Sequence, residues 1–209
     1  MAPVTASLRR VSEAANGAVT TPSAVRRLDG SEADNLAVLA AVFEDLQYVL
    51  RCCEHLVAAL ARPEPDSAMV EALWTGALVG YTRCFSGRAG VLTDDDLGKL
   101  ELDGDVREFH GMVKKLRDHY ASRHVNPRES FTIGAAQAND GRPTGVAVVS
   151  APRPLVDDTT VRLLGRVAYA LSGLLDARMQ ETQARVLAAA GSLTPGQLSK
   201  LPLVHLGAP

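Results

Sequence analysis

The chain of 209 residues carries 22 basic and 24 acidic side chains for a net charge of −2, with 46% hydrophobic, 22% charged and 4% aromatic residues. That length suits one well-cored domain, the hydrophobic share excludes a wholly disordered or collagenous chain, and the balanced charge excludes a global basic field, so nucleic-acid contact would need a local patch. With so few aromatic residues, alanine, leucine and valine must fill the interior, which suits closely packed helices better than a β-sandwich.

Residues 1–32 scatter Arg9, Arg10, Arg26 and Arg27 among small residues without a sustained apolar period, and they read as a flexible or partly extended arm. Order is expected to begin near Ser31, which with Asp34 and Asn35 can cap a helix. From Asp34 to about Ala61 the apolar residues Leu36, Leu39, Phe43, Leu46, Leu50, Cys53, Val57 and Leu60 recur at steps of three and four, the period of an amphipathic helix. Pro63 and Pro65 end it. Asp66 or Ser67 can cap a second helix through Trp74, Ala77, Leu78 and Tyr81 to about Phe85, and the short connection predicts an antiparallel neighbour. Ser86 to Gly90 reads as a loop, and Thr93 with Asp94 to Asp96 can begin a short helical turn. Asp105 to about Tyr120 is periodic again, with Val106, Phe109, Val113, Leu116 and Tyr120 on one stripe.

Pro127 stops that third long helix and biases Asn126 toward extended backbone. Two β-prone runs, Ser130 to Ala138 and Gly145 to Ser150, flank Asn139-Asp140-Gly141-Arg142-Pro143, a hairpin signal. Asp157 to about Ala190 then reads as a long final helix capped by Asp157 or Asp158, with Gly191 fitting its end and Leu193 to Pro209 a tail punctuated by proline and glycine. The expected architecture is mainly α: an antiparallel helical bundle over residues 33–191, a β-hairpin at about 129–151 inserted before the long last helix, and a tail over 192–209. Cys52, Cys53 and Cys84 cannot all pair, which argues against a disulfide framework. No uncharged apolar run reaches membrane-spanning length and the first thirty residues lack a signal-peptide core, so a soluble cytoplasmic protein without membrane contact is expected.

Opposite the apolar stripe of the third long helix, His110, Arg117 and, if its last turn continues, His124 recur at steps of seven, so two helical turns set each nearly above the last. Lys114 lies between the first two, and Lys115, Arg123 and Arg128 add positive charge. A row of this kind can hold a phosphodiester, because arginine presents a planar fork of donors and histidine titrates near neutrality. It can equally be a solvated helix face. Arg83 offers either a second phosphate contact or a charge at a helix C-terminus, while Tyr81 and Tyr120 read as core or rim packing. Cys52 and His55 share a helix face, yet no second ligand pair follows and no metal or cofactor is expected; phosphate loops, Rossmann glycine patterns and zinc-protease helices are missing.

The segment Leu116 to Glu129, LRDHYASRHVNPRE, resembles the signature of the HEPN superfamily of helical ribonucleases, toxins and abortive-infection proteins: an arginine, a polar residue, then a histidine four to six positions after the polar one. Arg117, Asp118 and His124 carry the resemblance, and the earlier YTRCFSGR stretch with Tyr81, Arg83 and Phe85 is similar to bacterial HEPN-like proteins over roughly Leu36 to Leu187. Members often have alanine, histidine and serine where this chain has Ser122, Arg123 and His124. The resemblance implies metal-free RNA cleavage to 2′,3′-cyclic phosphate ends, with His124 as base, Arg117 stabilising charge on phosphate oxygens, Asp118 orienting one of them, and His110, Lys114, Arg83, His119 and Arg123 near the substrate. It further implies a homodimer in which each copy supplies half a site, a role in phage defence or stress, and a neutralising or regulatory protein. From other classes, a silent helical scaffold that dimerises through its last helix, or a regulator whose basic groove holds a free nucleotide, fits the same residues.

Overall fold

Short polar side chains set where the helices start. In a computed structural model, which describes residues 24–86, 91–121, 126 and 128–204, α1 spans Ser31–Leu60. At the head of α2 (Ser67–Arg83) the Asp66 carboxylate accepts from the amides of Ala68 at 3.0 Å and Met69 at 3.2 Å. Thr93 and Asp96 cap each other around the single turn α3 (Asp94–Leu97). Asp105 accepts from the Glu108 amide at 2.9 Å to begin α4 (Val106–Tyr120). Strands β1 (Glu129–Gln137) and β2 (Pro143–Pro152) follow, then α5 (Asp158–Gly191), with Asp157 accepting from the Thr160 amide at 2.8 Å, and α6 (Pro195–Lys200). The described residues are thus mainly helical with a two-stranded antiparallel sheet. None of their helices is long and apolar enough to cross a membrane.

Contacts divide the chain into two compact units, and α1 and α5 each contribute to both. The larger, Glu44–Ser172, is built on Leu46, Val49, Leu56, Trp74, Leu78, Tyr81, Val113, Val161, Leu164 and Leu171, each at most 2% exposed. Every such side chain contributes about 1.5–3 kcal/mol by leaving water. Two glycines let α2 approach α1 closely: a β-carbon at Gly76 would lie 2.7 Å from the Tyr48 hydroxyl, and one at Gly80 would lie 3.1 Å from Val49 and 3.2 Å from the Tyr48 ring.

The buried seam of α1 in this unit follows Leu46, Val49, Cys52, Cys53, Leu56 and Ala59, while Leu50, Val57 and Leu60, expected inside, are half-buried. Apolar residues flank the seam on both sides, so spacing alone does not fix its centre. The Leu50 and Val57 flank instead lines an open groove of about 940 Å³ with Leu102, Gly165, Arg166 and Tyr169.

In the smaller unit, residues 25–27 and 201–204 lie side by side, through amide-to-carbonyl bonds of 2.9 Å from Arg27 to Pro202 and from Val204 to Val25. The Arg26 guanidinium donates to the Leu201 carbonyl at 2.9 Å. Each of these segments satisfies part of the other's backbone. The tail also contains α6, with Pro195 in its first turn and a reciprocal cap between Thr194 and Gln197.

The hairpin spans 129–152, close to the expected 129–151, with a second strand that runs from Pro143 to Pro152 rather than from Gly145 to Ser150. Its register pairs Phe131 with Ser150, Ile133 with Val148 and Ala135 with Val146, and shifts between Ala136 and Gln137. The turn depends on Gly141, whose φ of 86° suits glycine and whose amide donates to the Ala138 carbonyl at 2.9 Å. At the base, the Arg153 amide donates to the Arg128 carbonyl at 2.7 Å, and the Arg128 guanidinium pairs with Glu71 of α2 at 3.0 Å.

Candidate functional site where the second and fourth helices meet

Helix α4 buries Val106, Phe109, His110 and Val113, positions that recur as i, i+3, i+4 and i+7 and so share one face. His110 is therefore corrected: it lies on the apolar stripe, 4% exposed, rather than opposite it. Its Nδ1 hydrogen-bonds the Tyr81 hydroxyl at 2.9 Å, and its ring lies 4.4 Å from the Phe85 ring between centroids. Burial pushes the Tyr81 phenol well above its ordinary range, so the hydroxyl stays protonated. The other ring nitrogen, Nε2, has no hydrogen-bond partner among the described residues and lies 3.6 Å from Asp94 Oδ1.

Burial, and next the Lys114 charge one turn along, lower the His110 pKa from its usual value against the opposing pull of Asp94. The ring is neutral at pH 7. Its orientation is held by Tyr81, a partner 29 residues away that the heptad spacing does not reveal.

Arg117 lies two turns beyond His110 and is half-buried. Its Nε donates to Thr82 Oγ1 at 3.3 Å, and that hydroxyl donates to the Leu78 carbonyl at 2.9 Å. The terminal Nη1 pairs with Asp118 Oδ1 at 2.9 Å. Two expected neighbours are thus brought together, and Thr82, which the sequence reading did not single out, fixes the direction of the guanidinium. An anion arriving here would meet a forked donor whose side-chain freedom has already been restricted.

Other expected members are placed elsewhere. Arg83 is exposed and pairs with Asp45 of α1 at 3.4 Å, so it does not join Arg117; a guanidinium leaving the last turn of α2 meets the nearest carboxylate of the helix beside it. Lys114 is exposed, and His119 is half-buried with its ring edge-on to Tyr120 at 6.0 Å. Helix α4 ends at Tyr120, and Arg123 and His124 lie outside the described residues. Asn126 accepts from the amides of Arg128 at 2.8 Å and Glu129 at 3.2 Å, turning the chain into β1.

Nearby thiols are poor nucleophiles. Cys84 is buried, donates to the Gly80 carbonyl at 3.2 Å and is pushed by burial up to about 12. Cys52 is buried while His55 is exposed, so the pair does not converge, and no group of three or more histidine, cysteine, aspartate or glutamate residues that could hold a metal occurs among the described residues.

No family model, curated protein or solved structure matches the chain.

Proposed function

We propose that this protein is a metal-independent endoribonuclease of the HEPN kind, built on a HEPN-like helical bundle. Arg117 carries the reading: it is oriented by Thr82 from α2 and paired with Asp118 on the last turn of α4, where the segment with the family-like motif begins. His124 takes the proton from a ribose 2′-hydroxyl, whose oxygen bonds to the adjacent phosphorus as the bond to the 5′-oxygen breaks. The leaving oxygen gains a proton from water or a second acid. Arg117 neutralises charge on the non-bridging oxygens, and Asp118 orients the guanidinium. The products end in 2′,3′-cyclic phosphate and 5′-hydroxyl. Lys114, His119 and Arg123 supply positive charge along the incoming strand, and two copies together complete the site, under control of a regulatory protein. His110, enclosed by Tyr81 and Phe85, is assigned to positioning the helices.

The test is cleavage of total RNA in excess chelator, with product ends analysed. Arg117→Ala is expected to lower the rate by about 10²–10³-fold, His124→Ala to abolish cleavage, and wild type to leave cyclic phosphates. An unchanged rate in both variants, or an inactive wild type, overturns the assignment. One observation favours a silent scaffold instead: Arg117, Arg83 and His110 each already have a partner on a neighbouring helix, as side chains joining α1, α2 and α4 would.

A further inference from the structure

We infer that the cavity at the foot of the hairpin is a base-recognition pocket, which takes a nucleobase with an exocyclic amino group and holds it through the Glu71 carboxylate. The cavity, of about 390 Å³, lies between the first half of α2, the last residue of α4 and the residues that lead from β2 toward α5. Its walls include the apolar side chains of Val70, Trp74, Pro154 and Leu155, and its volume falls in the range of small-ligand sites.

Two polar groups line this cavity with bonding capacity unspent. Glu71, with a side chain 19% exposed, accepts from the Arg128 guanidinium through Oε1 at 3.0 Å, while its Oε2 has no hydrogen-bond partner among the described residues. The hydroxyl of half-buried Tyr120 has none either. Burial, and next the Glu71 charge, push that phenol above its ordinary value, so it stays protonated and can donate. A ligand whose edge sets an N–H donor beside an acceptor satisfies both groups.

Charge narrows the class. Glu71 is matched by Arg128, and Glu129 and Arg153 add one charge of each sign to the lining, so no net field holds an ion. A neutral flat ring fits instead, because apolar walls cover its faces while a carboxylate oxygen accepts from an amino group on its edge. Uracil sets a carbonyl oxygen where cytosine has that amino group, and two acceptors would then face each other. That the base belongs to an RNA strand rests on the ribonuclease reading. Tyr120 lies one turn of α4 beyond Arg117, while Thr82, which holds Arg117, and Glu71 are roughly 16 Å apart along α2. The base is therefore that of a nucleotide a few steps from the phosphate at Arg117.

Trp74 is the single tryptophan of the chain, so its fluorescence reports what enters the cavity of the full-length protein. The test is titration with cytidine, uridine, adenosine and inosine, corrected for ligand absorbance. Cytidine and adenosine are expected to give a saturable change, each at least about fivefold tighter than uridine and inosine respectively. Glu71→Gln, with an unchanged far-ultraviolet circular dichroism spectrum, is expected to shift the preference toward uridine and inosine, because the amide can donate to their carbonyl oxygens. A purely structural Glu71 would weaken all four ligands alike, and that result overturns the inference. No saturable change in the wild type, or equal affinity within each pair, overturns it as well. Free nucleosides carry no phosphate and their binding does not depend on catalysis. A base preference without RNA cleavage therefore upholds the pocket and removes the ribonuclease reading, whereas cleavage without a base preference does the reverse.

Discussion

The apolar stripe of α4 and the apolar face of the hairpin are written in the same kinds of residue and meet opposite fates. Val106, Phe109 and Val113 repeat with the helical period and are covered, whereas Phe131, Ile133, Val146 and Val148 repeat with the strand period and remain in water. An apolar pattern selects the element that can present one face. Covering that face is a separate event, and it depends on a surface of matching shape elsewhere in the chain or in a second copy.

The contrast can be broken hardest from the buried side. Trp74→Ala removes a side chain that is 2% exposed from the core of the larger unit and is expected to cost about 3–5 kcal/mol in urea unfolding. Enlarging Gly80 to valine forces contact with Val49 and Tyr48 of α1, and a loss of about 1–3 kcal/mol is expected by the same measurement; a neutral result would mean that the two helices separate freely. Tyr81→Phe keeps the ring but leaves His110 Nδ1 without its partner in a buried place, with an expected cost of about 1–3 kcal/mol.

A pH series sharpens the role of His110. Because burial lowers its pKa in the folded chain, the unfolded chain binds the extra proton first as pH falls, so this residue's contribution to stability is complete above about 6.5 and declines below it toward the depressed folded value. The difference in unfolding free energy between wild type and His110→Gln is expected to shift against wild type from pH 7.5 to pH 5.5, and a pH-independent difference would show that the ring is not held neutral. The smallest effect belongs to the hairpin: Ile133→Thr at submicromolar concentration is expected to change stability by less than about 0.5 kcal/mol, since that side chain is 65% exposed.

Some of what the structure places was already readable. Val106, Phe109 and Val113 surround His110 at helical spacing, so the periodicity that defines the stripe also implies its burial, whereas the seven-residue step to Arg117 points to the opposite face. The capping pair Thr194 and Gln197, with Pro195 between them, marks α6 within a stretch that proline and glycine make look unstructured. Asp66, Asp105 and Asp157 announce their helices in the same way, as do Gly141 for the turn and Gly191 for the end of α5.

Interactions that close within one or two turns of chain are legible in the order of residues: caps, helical and strand periods, a hairpin turn, and the adjacency of Arg117 and Asp118. Tertiary structure alone decided that Tyr81 meets His110, that Thr82 directs Arg117, that Arg83 is taken by Asp45, and that residues 25–27 lie beside 201–204. The reason is physical: local backbone geometry repeats every few residues and so leaves a trace in the order of side chains, whereas the partner of a side chain that leaves its own helix is whichever group packing brings within about 3–4 Å, and no spacing along the chain encodes that distance.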